Sequence, residues 1–335
     1  GKATHRSWLA MISLRVMMVL WMMMSVSGVS WGQILMTTTG SNTENFNTLI
    51  TTSSATWTDN VSILNWYSQR TGTGTTIFAD GGTNTGGNLY SYGTGTGTER
   101  ALGTIGSSNA TAGNFAHGVL LRNSSGGTIT DITVTYTLEQ WRNSAAAAQS
   151  LTFYYKTSPS TITSLNPNNN AGWTQVAALT LNSPITGGMA GALNGDNAAN
   201  RVTATNISIP SLALANNDYI MLKWEDPDHS GTDHGMAIED VTINWTVPVP
   251  ATNYYLKAGG VISNMNDWGT SLDGMSGGPG PGLTAANTNW NINNSSPTLD
   301  AAWALGSGSK VIVGDAVNTR VFTIPSSFAV TGTVD

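Results

Sequence analysis

From Gln33 to Val247 the chain is cut at short intervals by clusters rich in glycine, asparagine and threonine, such as TGTGTT (71–76), GGTNTGGN (81–88) and GTGTGTE (93–99). This punctuation leaves room only for short extended segments. Ten apolar segments lie between the turns: SILNWY (62–67), TIFAD (76–80), NLYSYG (88–93), GVLLRN (118–123), ITDITVTYTLEQW (129–141), SLTFYYKT (150–157), WTQVAALTL (173–181), RVTATNISI (201–209), YIMLKWED (219–226) and MAIEDVTINW (236–245). In ITVTYTLEQW apolar and polar side chains alternate, the period of a strand with one buried face. Charged residues are only 10% of the chain, too few for the wet faces of helices. Disorder is excluded by 12 Trp, 9 Tyr and 6 Phe. The pattern predicts an all-β fold, an antiparallel two-sheet β-sandwich of jelly-roll type over residues 33–247.

The N-terminus reads as a leader. Residues 16–26 (VMMVLWMMMSV) form a short apolar run after Arg6 and Arg15, and Ser30-Trp31-Gly32 offers a small-x-small cleavage site. That order marks residues 1–32 as a signal peptide, with Met11 as an alternative start, and predicts a secreted or cell-surface protein. The run is short for a membrane span, and none is expected in the mature chain. Without Lys2, Arg6 and Arg15 the chain keeps 10 basic and 19 acidic residues, so its net charge moves from −6 to −9. No basic patch accompanies this balance, which argues against nucleic acid as a partner. With no cysteine, the core must hold without disulfides.

Val247-Pro248-Val249-Pro250-Ala251 gives a stiff extended linker over 248–252. From Asn253 a second β module begins, with KVIVGD (310–315), RVFTIP (320–325) and AVTGTVD (329–335) spaced like the opening coils of a β-solenoid. The rhythm breaks off at Asp335, as a truncated module would.

These segments carry a family likeness. NLYSYGTGTGTERALGTIGS (88–107), LEQWRNS (138–144) and KWEDPDHSGTDHGMAIEDVTI (223–243) resemble the N-terminal module of secreted, Bacteroidetes-type multidomain surface proteins. YYLKAGGVISNMNDWGTSLDG (254–274) and GSGSKVIVGD (306–315) resemble a companion repeat that introduces β-helical stretches in such proteins. The resemblance implies a bacterial surface protein whose further domains follow these modules. It carries no specific activity. Glu239 stands where the related pattern has Asp.

Two sets of residues are candidate sites. Asp226, Asp228, Ser230 and Asp233 place oxygen side chains around Gly231, with Glu239 and Asp240 near enough in sequence to complete a structural Ca²⁺ shell. It is no EF-hand, because Ala237 occupies the closing position; the alternative is an Asx-rich hairpin loop. His229 and His234 allow a transition-metal reading, though loop histidines at this spacing define no geometry. The second set is Glu99, Arg100, Glu139, Gln140, Trp141 and Arg142. Trp141 or Trp66 could stack on a sugar while its neighbours hydrogen-bond the hydroxyls. The competing structural reading makes these residues Arg–carboxylate bridges between strands.

GxSxG, HExxH, Walker and dinucleotide motifs are absent. The expected function is a non-catalytic extracellular module that binds glycan or matrix, or that presents downstream domains. A purely structural spacer is one alternative. The other is a carbohydrate-active hydrolase using Glu99 and Glu139 or the Asp226–Asp240 cluster, which would need two carboxyls about 5–9 Å apart across an open groove.

Overall fold

Threonines alternate with Ile132, Val134, Tyr136 and Leu138 in the strand Asp131–Asn143, and those four apolar side chains are fully buried on one side. This strand lies in a nine-stranded sheet of a computed structural model, which describes residues 32–249, 251–294, 296–314, 320–324, 326, 329–331, 333 and 334. The leader proposed at 1–32 lies outside the described residues except for Gly32. Among the described residues there is no α-helix, only 3-10 turns at Ala177–Leu179, Ala198–Asn200 and Met265–Asp267. No helix among them is long and apolar enough to cross a membrane. The chain divides into two compact units between Val247 and Pro248.

In the first unit a seven-stranded sheet runs Ile34–Met36, Phe115–Asn123, Tyr219–Asp226, Ser150–Ser158 and Thr174–Gln175, with Trp66–Arg70 also paired to Phe115–Asn123 and Leu181–Asn182 to Ser150–Ser158. The nine-stranded sheet is centred on Asp131–Asn143, Gly235–Thr246 and Ala101–Ile105. Both sheets contribute to one core, where Trp66, Val119, Phe153 and Trp224 meet Leu102, Val134, Tyr136 and Ile238. Trp224 makes three aromatic contacts within it. It stacks on Trp66 at 5.7 Å and meets Tyr136 and Phe153 edge-on.

Pairing is not wholly antiparallel. Ile34–Met36 runs parallel to Phe115–Asn123, and Thr76–Asp80 runs parallel to Asn88–Tyr92. The second pair is joined by residues 81–87 alone, which must therefore cross back over the outer face of the sheet. Asp80 secures the start of that crossing, its carboxylate accepting from the backbone of Gly82 and Asn84 and the hydroxyl of Thr83. Gly82 has φ +83°, and a Cβ there would lie 1.8 Å from the carbonyl oxygen of Trp141. The crossing thus requires glycine at this position.

The outer faces are buried too. Over the seven-stranded sheet, Ile162, Leu165 and Trp173 cover Ala116, Leu120 and Met221. Over the nine-stranded sheet, Tyr90, Tyr92, Trp141 and Ala237 form a further apolar cluster. Strands buried on both faces have few places for charge, which is the physical reason for the 10% charged composition.

The second unit pairs Thr252–Leu256, Thr288–Ile292, Lys310–Val313 and Thr333–Val334 in parallel, with Trp268–Gly269 antiparallel on the outside of the first strand. Trp268, Trp290 and Trp303 meet edge-on in its core.

Trp224→Ala removes the centre of the first core and costs ~3–5 kcal/mol. A drop in Tm of ~10 °C is expected by thermal unfolding; a drop under ~3 °C would show that the two sheets do not depend on this contact.

Candidate binding site

Glu99 and Glu139 of one predicted set and Glu239 of the other come together on the outer side of the nine-stranded sheet. Glu139 and Arg201 are direct cross-strand partners, and Glu239 lies on the neighbouring strand Gly235–Thr246. Arg201 Nη2 donates to Glu139 Oε1 at 2.6 Å and also to Glu239 Oε2. Glu139 Oε2 accepts from Trp141 Nε1 at 3.0 Å. Oxygens of Glu99, Glu139 and Glu239 lie within 4.8 Å of one another, a spacing that could hold a cation. The Arg201 guanidinium already occupies part of that role.

One guanidinium does not balance this group. Burial, and a hydrogen bond with Glu239, push Glu99 up to about 7. Burial and sharing with Glu139 push Glu239 up to about 7, and burial and sharing with Glu99 push Asp196 up to about 6. Glu139 is raised as well, chiefly by burial. Burial thus raises all four carboxyls, three of which, Glu99, Glu139 and Glu239, crowd together beside Arg201. Glu139, fully buried with both oxygens engaged, does not face a second carboxylate across an open groove.

The other residues of that set are occupied in packing. Arg100 is buried and donates to the carbonyls of Gly97, Gly95 and Thr51, holding the 93–99 turn rather than bridging to Glu99. Gln140 exchanges hydrogen bonds with the backbone of Ile185. Trp141 is 1% exposed and stacked on Tyr92 at 5.8 Å, so it offers no face to a sugar. A Cβ on Gly195 would lie 2.3 Å from its Nε1, and Gly82 covers its carbonyl. Trp66 is in the core. Indeed all nine tryptophans among the described residues are buried. Arg142 alone of the set faces a cavity, while its Nη1 donates to the carbonyl of Gly82.

The acidic loop is divided. Asp226 is buried and accepts from the Thr104 hydroxyl at 2.6 Å. Asp228 and Asp233 line a cavity of about 260 Å³ with Arg142, Ser107, Ser108 and Ser144. Asp233 accepts from Gln149 Nε2 and the His229 backbone, and burial pushes it up to about 7. Ser230 is exposed outside that lining. Glu239 belongs to the Arg201 group. Asp240, exposed with φ +47°, sits where the register shifts between Glu239 and Thr242. His234 is buried, with Nδ1 3.1 Å from the Ser144 hydroxyl, and Nδ1 of His229 lies 3.7 Å from Asp233.

A second, larger cavity of about 460 Å³ went unmarked in the sequence. It is lined by Trp57, Asp59, Ser68, Gln69, Arg70, residues 72–75, Ser164, Asn166 and Pro167. Its walls are fixed by hydrogen bonds. Asp59 accepts from Trp57 Nε1, the Ser68 backbone and Gln69 Nε2, each at 2.8 Å. Gln69 in turn donates to the Thr163 carbonyl and accepts from the Leu165 backbone. The TGTGTT turn forms one wall: Gly72 and Gly74 pair their backbones with residues 110–112, and a Cβ on either would come within 2.5 Å of that backbone. WTD (57–59), SQR (68–70) and NPNNN (166–170) were the available signals, but nothing local joins them.

No family model matches the chain, and no curated protein matches it. Among solved structures, the K3 cleaved adhesin domain of Lys-gingipain from Porphyromonas gingivalis is 12% identical, with 45% of this chain and 77% of that one covered and a TM-score of 0.26. The K1 cleaved adhesin domain of the same protein is 10% identical, with 61% and 97% covered and a TM-score of 0.25. TmCBM61, solved in complex with β-1,4-galactotriose, is 10% identical, with 43% and 70% covered and a TM-score of 0.22. Scores this low do not define a shared fold.

Because their pKa values are raised on folding, the clustered carboxyls stabilise the fold fully below pH ~4 and lose that effect as pH rises through about 7. The Tm of the chain should therefore fall between pH 5 and pH 8. Glu99→Gln should raise it by ~2–4 °C at pH 8 and leave it unchanged at pH 5. A Tm that rises over this range, in both proteins alike, would contradict the raised carboxyl pKa values.

Proposed function

We propose that this chain is a non-catalytic module of a secreted or cell-surface protein, and that its first unit holds a saccharide in the 460 Å³ cavity. The observation that carries the reading is the character of that cavity. It is large enough for a ligand of one or two sugar rings, and amide, hydroxyl and charged side chains lie on walls already fixed by hydrogen bonds. A sugar presents hydroxyls that match such donors and acceptors. Without an exposed tryptophan platform the contact rests on hydrogen bonds, so the affinity is expected near ~1 mM, about −4 kcal/mol.

In this reading the two sheets form a jelly-roll-like sandwich. The parallel strands of the second unit are the opening coils of a β-solenoid leading to downstream domains. Export rests on the leader at 1–32.

Calcium enters the same reading as a structural ion in the smaller cavity. Asp228 and Asp233 with Ser107, Ser108 and Ser144 form an oxygen-donor set suited to a hard cation, and a bound ion would relieve the burial of Asp233. Asp226, Glu239 and Asp240 take no part in it.

Titration of the full chain with neutral and acidic oligosaccharides should give saturable heat that is lost in Gln69→Ala, whereas Trp141→Phe binds normally. Binding that survives Gln69→Ala and fails in Trp141→Phe would move the site to the outer face of the sheet. EDTA at pH 8 should lower the Tm by ~2–4 °C, for ~1.4 kcal/mol of ion binding, and have no effect on Asp233→Asn. An unchanged Tm in native protein would remove calcium from the account.

A further inference from the structure

Arg70 lines the larger cavity without an anion of its own. Its Nη2 donates to the Thr76 carbonyl at 3.0 Å, and its guanidinium lies 4.9 Å from the centre of the Phe115 ring. Nη1 is buried beneath Gly74 and has no hydrogen-bond partner. Among the described residues no carboxylate lies within ion-pair distance of it. Burial alone pulls its pKa down to about 10.

The neighbouring groups leave that charge uncompensated. Asp59, the other charged side chain in the lining, spends its oxygens on three N–H donors. His117 stands opposite Ser68 in the strand register, with Nδ1 3.0 Å from the Ser68 hydroxyl and Nε2 buried without a partner. Burial and Arg70 drive it down to about 3, so it is neutral. A partly desolvated cation that lines a cavity without a counter-anion is costly to hold unless a ligand supplies one.

We propose that the cavity is specific for an acidic sugar, with the carboxylate of a uronate residue seated on the Arg70 guanidinium and its hydroxyls against Gln69, Ser164 and Asn166. This rests on reading the cavity as a saccharide site. A carboxylate against the cavity side of the guanidinium makes a charge-assisted pair with it. The net charge of −6 repels polyanions in general, so attraction must come from this local contact.

The test is calorimetric titration of the full chain, in EDTA, with oligogalacturonate, its fully methyl-esterified counterpart, a neutral galactan oligomer and dextran sulfate. Oligogalacturonate should bind ~10-fold more tightly than its methyl ester. Arg70→Gln should abolish that preference, while Ser164→Ala weakens acid and ester alike. Equal binding of acid and ester would overturn the uronate assignment and leave the saccharide reading standing. Dextran sulfate binding as tightly as oligogalacturonate would overturn it in favour of a general anion site. No binding of any saccharide would overturn both. Should Arg70→Gln fail to fold, the comparison of acid with ester on the native chain decides alone.

Discussion

Arg201 joins Glu139 to Glu239, and the outer face of the nine-stranded sheet is organised around that guanidinium. Without it, two buried carboxylates on adjacent strands would repel each other in a poorly solvated layer, a penalty of several kcal/mol. With it, Glu139 can turn its second oxygen to Trp141, and Trp141 can lie flat on Tyr92. The segment around Gly195 then closes over the indole, and Gly82 over the Trp141 carbonyl. Ion pairing, aromatic stacking and loop crossing are three parts of one covered layer, and each lowers the cost of the next.

How much of this could be read in advance depends on whether the cause was local. Alternation in ITVTYTLEQW correctly sends Ile132, Val134, Tyr136 and Leu138 inward. Alternation is silent about the other face, and Thr137, Glu139 and Trp141 proved to be buried there. The partner of Glu139 lies 62 residues away, so charge crowding at 139–142 pointed to Arg142 when strand pairing had chosen Arg201. The turn TGTGTT marked a real break in the strands. Its glycines serve close backbone contact with residues 110–112, which only the tertiary structure reveals.

The acidic loop shows the same limit. Asp226, Asp228 and Asp233 lie close in sequence and remain near one another, as their mutual electrostatic influence reflects. Glu239 and Asp240 are nearly as close in sequence, but a strand carries them off. The register shift at Asp240 turns one outward, and the pleat turns the other toward Arg201. Asn114 links the acidic loop to the turn at Thr71, and beyond that turn Trp57, Gln69 and Asn166 come from three separate stretches and meet because the strand Trp66–Arg70 pairs beside His117. The larger cavity thus sits where loops converge, while Trp66, Trp141 and Trp224 are buried in packing.

The central claim is that ligand contact belongs to the cavity beside Trp57, and that the aromatic layer around Trp141 is sealed. Tryptophan-labelled full chain, followed by indole ¹H–¹⁵N NMR during titration with oligogalacturonate, tests it most directly. The account predicts a progressive shift of the Trp57 indole signal, whose N–H is held by Asp59, with the Trp141 and Trp66 signals unmoved. A ligand-dependent shift of Trp141 with Trp57 unchanged would contradict it.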